Sequence, residues 1–130
     1  MYKYSNSSRE ILDGVGTLGR VVMVQAIKES PHDIIIIEGY RSEARQNKLY
    51  RQGRSEKGKI VTYVDGSRVK SKHQERKAID FAVWEGGKIS YNVEKMKEVG
   101  EHIKRTAKEL GIDIKWGGDW KMKDYPHIEW

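Results

Sequence analysis

The chain has 130 residues, 25 Lys and Arg against 19 Asp and Glu, a formal charge of +6, and no cysteine. That length suits a single domain with its own core, and the missing cysteines exclude a disulfide scaffold and cysteine-ligated zinc. No aliphatic run is longer than Ile34 to Ile37, so no membrane insertion is expected.

The pI near 9.4 favours polyanionic partners, either nucleic acid or an anionic cell-wall or outer-membrane surface. The basic residues gather only in Arg51 to Arg54 and Arg68 to Lys72, without a helix-turn-helix or other nucleic-acid signature. No nucleic-acid partner is therefore expected, and most of these charges read as solvated surface.

Met1 to Ser8 lacks the apolar core of a signal peptide. Leu18 to Glu29 reads as a helix, capped by Thr17 and ended by Ser30-Pro31, with Leu18, Val21, Val22, Gln25 and Ala26 facing the core. His32 follows in a turn composition and reads as an exposed loop residue. Ile34 to Ile37 is a buried strand by length and β-branching. It delivers Glu38-Gly39-Tyr40-Arg41 at its end, where functional groups project from a rigid scaffold. Ser42 then caps a helix to Gln52, which Gly53 closes.

Ser55 to Lys70 surrounds the apolar stretch Ile60 to Val64 and reads as a small flap, with Asp65-Gly66 as its hairpin turn. Beyond it, Ala78, Asp80 and Ala82 share one strand face, and Ile79, Phe81 and Val83 the other. A carboxylate among apolar strand residues is costly to bury unless something such as a metal pairs with it. The alternative is an edge-strand Asp80 facing water.

Glu85 to Lys88 supplies a turn. Asn92 caps a helix through Leu110, closed by Gly111, with Val93, Met96, Val99, Gly100, Ile103, Ala107 and Leu110 inward. His102 adjoins that face and reads as exposed. Ile112 and Ile114 open an extended segment towards Trp116 and Trp120, whose rings suit core packing or a cleft wall equally. In the last segment His127 and Glu129 share one face, and Ile128 and Trp130 the other.

Two stretches carry the candidate chemistry: Ser71 to Asp80, and Asp124 to Trp130. They offer two imidazoles and several carboxylates, ligands that zinc accepts; a catalytic zinc typically has three protein ligands and an open position. On a straight helix His73 and Asp80 would lie about 10 Å apart along the axis. On one strand they would point to opposite faces. They share an ion only if the chain turns between them, as the polar run Gln74 to Lys77 permits.

Ser71-x-His73-x-x-x-x-Ala78-x-Asp80 resembles the S-x-H-x-x-G-x-A-x-D signature of the zinc D-Ala-D-Ala peptidases and phage L-alanyl-D-glutamate endolysins. Asp124-x-Pro126-His127 is similar to that family's second signature. Glu38-Gly39-Tyr40-Arg41-Ser42 with Gln46 and Leu49-Tyr50, and Trp116-Gly117-Gly118-Asp119-Trp120, resemble the phage branch. The resemblance runs from about Val21 to the C-terminus. Arg76 departs from it, standing where the family usually has Gly.

The resemblance implies an α+β fold, hedgehog/DD-peptidase-like, with a small antiparallel sheet and helices packed mainly on one side. It implies zinc held by His73, Asp80 and His127, with Asp124 moving the proton, Arg41 holding substrate or oxyanion, and Ser71 supporting the site. Glu129 is the local rival to Asp124, because it shares a strand face with His127. The implied substrate is the peptide stem of peptidoglycan, cut between L-alanine and D-glutamate. D-Ala-D-Ala carboxypeptidase activity is the alternative, and a non-catalytic cell-wall or nucleic-acid binding module lies further off. The expectation is one catalytic domain over residues 1–130, monomeric, with no separate wall-binding domain. It would be made in a host cytoplasm and reach the wall after membrane permeabilisation.

Overall fold

The computed structural model describes all 130 residues. In chain order the elements are α1 (Asn6–Asp13), α2 (Thr17–Ala26) running into a 3-10 turn, β1 (Ile34–Glu38), α3 (Glu43–Arg51), β2 (Ala78–Glu85), β3 (Lys88–Ser90), α4 (Val93–Leu110), β4 (Lys115–Trp116) and β5 (His127–Glu129). The sheet runs β1-β2-β5-β4, with β3 also on β2. Every pairing is antiparallel. Asp80 pairs with both Glu38 and His127, and Val83 with both Ile34 and Ser90. Thus β1 takes one edge of β2, while β5 and β3 share the other.

The alternation expected for β2 sorts the sheet into two faces. Ile34, Ile36, Ile79, Phe81, Val83, Trp116 and Ile128 form the core face. Leu12 of α1, Val22, Met23 and Ala26 of α2, and Met96, Val99, Ile103 and Ala107 of α4 cover it. The fold is therefore α+β, with a small antiparallel sheet and helices mainly on one side, as expected. α3 contributes only Gln46 to the buried set. No helix is long and apolar enough to cross a membrane.

Caps explain the helix boundaries. Ser42 Oγ accepts from the Arg45 amide at 3.1 Å and Asn92 Oδ1 from the Lys95 amide at 3.1 Å. Gly111 ends α4 in the left-handed region at φ 71°. Gly86 and Gly87, both at positive φ, make the two-residue β2–β3 hairpin.

Some expectations fail for identifiable reasons. α1 has too short and polar a sequence for a clear period, yet three contacts hold it. Ser5 caps it, the Ser8 hydroxyl accepts the Ile36 amide at 3.0 Å, and the Tyr4 hydroxyl donates to the Met23 carbonyl at 2.8 Å. Thr17 is the first helical residue rather than a cap, because Gly16 occupies the cap without a side-chain bond. The inward face of α2 is Gly19, Val22, Met23 and Ala26, leaving Leu18 and Val21 exposed. Gly19 turns that face inward, since a Cβ there would lie 2.2 Å from the Trp130 ring. β1 is buried on one face only. Ile60 to Val64 forms no strand, and Asp65 accepts backbone amides of Arg68 and Val69 in a turn instead of closing a hairpin.

The turn before β2 contains Arg76 at φ 63°, the chain's one non-glycine residue at positive φ. This conformation is why glycine suits the position. The side chain offsets the strain by donating to the Gly14 carbonyl at 2.7 Å and lying 3.9 Å over the Tyr40 ring. Its own carbonyl accepts the Gly16 amide at 2.7 Å.

Two stability predictions follow from this packing, both read by urea unfolding. Arg76→Gly relieves about 1–2 kcal/mol of left-handed strain and loses a hydrogen bond and an exposed cation–π contact of similar total. It should stay within about 1 kcal/mol of the parent, whereas β-branched Arg76→Val should fall by about 2 kcal/mol or more. Equal stability of the two variants would contradict this. Gly100→Ala would place a methyl 2.2 Å from the Trp116 ring, and overpacking of that kind costs about 1–3 kcal/mol. An unchanged midpoint would show that the α4–Trp116 contact is not tight.

Candidate active site

The site forms on the sheet face away from the core. A bulge in β1 between Ile36 and Glu38 sets Glu38 opposite Asp80, and β5 sets His127 opposite Asp80 on the other side. Directly opposed residues share a face, so Glu38, Asp80 and His127 form one row across three strands. His73 joins the row from the turn ahead of β2. Ser71 and Gln74 tie that turn: the Ser71 amide donates to Gln74 Oε1 at 2.9 Å, and the Gln74 amide to Ser71 Oγ at 3.2 Å. Ser71 thus braces the loop carrying His73.

The partners of each imidazole fix its orientation. His73 Nδ1 lies 2.8 Å from the Gly39 carbonyl. A carbonyl only accepts, so Nδ1 carries the proton and Nε2 is bare. His127 Nε2 lies 2.8 Å from Glu129 Oε1, an acceptor when ionised, which leaves Nδ1 bare. Both bare nitrogens face the same oxygen: Asp80 Oδ1 is 3.5 Å from His73 Nε2 and 3.4 Å from His127 Nδ1.

With both imidazoles neutral, three electron-pair donors face one another, an arrangement that suits a cation. The ligand atoms of His73, Asp80 and His127 all lie within 4.8 Å of one another. Tetrahedral bonds of about 2.0–2.2 Å separate ligand atoms by about 3.3–3.6 Å, the spacing seen between Asp80 and each histidine. Each histidine's far nitrogen has an oxygen partner, the arrangement that orients metal-ligating imidazoles. The residues fit a metal.

The electrostatics show the same demand for positive charge. Burial raises the Asp80 carboxyl, but His127 and His73, carrying protons in a metal's place, together hold it well below the usual range. Burial lowers His127, and the Asp80 and Glu129 carboxylates outweigh that to raise it. Asp124 lies in the same cleft and is raised, chiefly by burial, with the charges of His127, Asp80, His73 and Arg41 also acting on it.

Close backbone packing positions Asp124. Its amide donates to the Gly117 carbonyl at 2.9 Å, and a Cβ at Gly117 would lie 2.2 Å from the Asp124 carbonyl oxygen. Glycine is needed there for the approach. Trp116 Nε1 donates to the Tyr125 carbonyl at 2.7 Å, while Trp120 packs 5.1 Å from the His127 ring. The two tryptophans therefore divide the alternatives left open by sequence. Trp116 is core, and Trp120 lines the cleft.

Arg41 is buried and heavily engaged. Nε and Nη2 donate to the Glu38 carboxylate at 3.1 and 2.8 Å, and Nη1 donates to Gln46 Oε1 at 2.8 Å. Nη2 is also 3.6 Å from Asp80 Oδ2. Gln46, wholly buried, donates in turn to Thr62 Oγ1 at 3.1 Å and the Val64 carbonyl at 2.8 Å. The 60–64 segment is thereby strapped beside the site, and the whole cleft encloses about 750 Å³.

His32 pairs with Glu98, and His102 with the Ala26 carbonyl, both away from the site. Sequence reading assigned no role to Glu38, Gln46 or Glu129 as braces. The three-residue spacing of Glu38 and Arg41 was the available signal, and the Gly39 carbonyl had none.

Comparison with known proteins gives a consistent result. Residues 1–129 match the family model described as phage L-alanyl-D-glutamate peptidase. The Bacillus subtilis (strain 168) peptidoglycan L-alanyl-D-glutamate endopeptidase CwlK is 44% identical over 104 residues. That match covers 75% of this chain and 60% of the Bacillus protein, so the chain spans less than two thirds of that relative. The L-alanyl-D-glutamate peptidase of Escherichia phage T5 is 33% identical over 129 residues, covering 98% of this chain and 88% of the phage protein. The crystal structure of Serratia marcescens L-Ala D-Glu endopeptidase ChiX superposes with a TM-score of 0.83 at 28% identity, covering 99% of this chain and 89% of that one. The chain belongs to the phage L-alanyl-D-glutamate peptidase family.

Proposed function

We propose that the protein is a zinc-dependent peptidoglycan peptidase that hydrolyses the L-alanyl-D-glutamate bond of the peptide stem. The observation that carries this reading is the convergence of two bare imidazole nitrogens on Asp80, with Asp124 in the same cleft. His73, Asp80 and His127 would hold the metal. Zinc, when bound, supplies Lewis acidity that lowers the pKa of a water from about 15.7 to about 7 and polarises a carbonyl.

The chain's own groups do the rest. Asp124, raised by burial, takes a proton at its carboxylate oxygen as water attacks the alanyl carbonyl, then delivers it to the leaving glutamyl nitrogen. Glu129 is occupied with His127 Nε2, which makes it a brace for the imidazole rather than the proton carrier. The Glu38–Arg41 pair fixes Asp80 from its other side. Because Arg41 lines the cleft, its remaining Nη1 hydrogen is free for a substrate oxygen. The basic surface would favour an anionic wall, reached after the cytoplasmic membrane is breached.

Metal analysis should find about one zinc per chain, and His73→Ala or His127→Ala should remove most of it. Full retention in both would sink the ligand set. Asp124→Ala should keep zinc and fold but lose roughly 10²–10⁴ in turnover, the range for a positioned acid/base. Glu129→Gln should weaken zinc binding about 10–100-fold while costing far less turnover when loaded with metal. Mass spectrometry of digested muropeptides reads both. A zinc-loaded, inactive Glu129→Gln beside a near-normal Asp124→Ala would reverse the roles, and D-alanine as the sole product would overturn the bond assignment.

A further inference from the structure

The charges lining the cleft differ in how far they are already engaged. Its acidic residues are Asp80, Asp124 and Glu129. Asp80 and Glu129 contact the histidines, and Asp124 acts on them electrostatically. Its permanent cations are Arg41, Lys70, Lys72 and Lys123. Arg41 is held by Glu38 and Gln46, and Lys123 Nζ donates to the Gly118 carbonyl at 3.0 Å. Lys70 and Lys72 are exposed, and neither makes a salt bridge or a side-chain hydrogen bond. They stand on the limb that leads directly into His73.

Resting on the proposed function above, we infer that Lys70 and Lys72 form a carboxylate-binding subsite that recognises the free carboxylate of the glutamyl residue on the leaving side of the scissile bond. Glutamate acylated at nitrogen keeps two carboxyl groups, and only one is needed to continue the chain. The other is an anion a few bonds from the nitrogen that departs. Bound zinc and Arg41 would offset the carboxylates of the floor, so recognition of this further anion falls to cations not already committed. Lys70 and Lys72 are the cleft cations left without a partner. A flexible ammonium suits a carboxylate of variable pose, whereas Arg41 already gives its bidentate edge to Glu38 and keeps no second fork for another carboxylate. Recognition of one charge in the substrate discriminates strongly when its neutral analogue leaves that interaction unmade.

The probes are two synthetic peptides that share an L-alanyl-D-glutamyl bond and differ in one group: the glutamyl carboxyl is free in one and a carboxamide in the other. A charge-assisted hydrogen bond supports about tenfold discrimination. The parent enzyme should prefer the free-acid peptide about tenfold in kcat/KM, mainly through KM, and the preference should shrink as salt rises. Lys70→Met with Lys72→Met should reduce the ratio to about one, and Lys70→Glu with Lys72→Glu should reverse it. Bound zinc, measured in each variant, should not change. A preference that survives the double substitutions, or equal cleavage of the two peptides by the parent, overturns the subsite while leaving the peptidase reading intact. A parent that leaves the L-alanyl-D-glutamyl bond uncut in both peptides overturns that reading, and the subsite with it.

Discussion

The site depends on one constraint: two imidazole nitrogens and one carboxylate oxygen converge and demand positive charge between them. Asp80 Oδ1 is the common point of this triangle. Two neutral imidazoles and a carboxylate so placed repel in a partly buried setting unless a proton or a metal cation joins them. The fold holds them there by covalent and hydrogen-bond geometry remote from the triangle. Antiparallel register fixes Asp80 against His127, a bulge aligns Glu38, and a braced turn returns His73 to the same face. The outer nitrogen of each imidazole is tied to an oxygen, so ring rotation would break a bond of 2.8 Å in either case.

A second layer makes the cleft one mechanical unit. Arg41 joins Glu38 and Asp80 to Gln46, and Gln46 joins them to the strap at Thr62 and Val64. A wholly buried glutamine with three hydrogen-bond partners is costly to break, because any unpaired group there is left without water. The strap needs no strand pairing of its own. Its exposed Ile60, Val61 and Tyr63 are apolar surface beside a polar floor, which suits a substrate with methyl groups and charged ends. The lysine limb continues from the strap into the His73 turn, so the groups proposed to bind substrate and a candidate metal-binding histidine lie on one short stretch.

Much of this was legible in the sequence because strong local signals agreed with tertiary packing. The two-residue alternation of β2 put Asp80 and Phe81 on opposite faces, leaving open whether Asp80 faced a site or water, and the caps Ser42 and Asn92 placed two helices. His73 and His127 stood out through the resemblance of their motifs to the peptidase signatures rather than through spacing, since the intervening turn cannot be computed from residue count. Arg76 looked like a mismatch until its positive φ explained both the usual glycine and the compensating contacts. What escaped was decided by long-range packing. α1 is held by bonds to β1 and α2, the inward face of α2 is set by Trp130 against Gly19, and the strap is held by a glutamine from another helix. Glu129 read as a candidate proton carrier because its strand face was right, but its partner was visible only in three dimensions.

The most direct measurement is anomalous diffraction at the zinc absorption edge from crystals of the metal-loaded protein. The account predicts one strong peak between His73 Nε2, an Asp80 oxygen and His127 Nδ1, with His127 Nε2 still on Glu129. A peak at another site, or coordination through His127 Nε2 with Glu129 displaced, would contradict it.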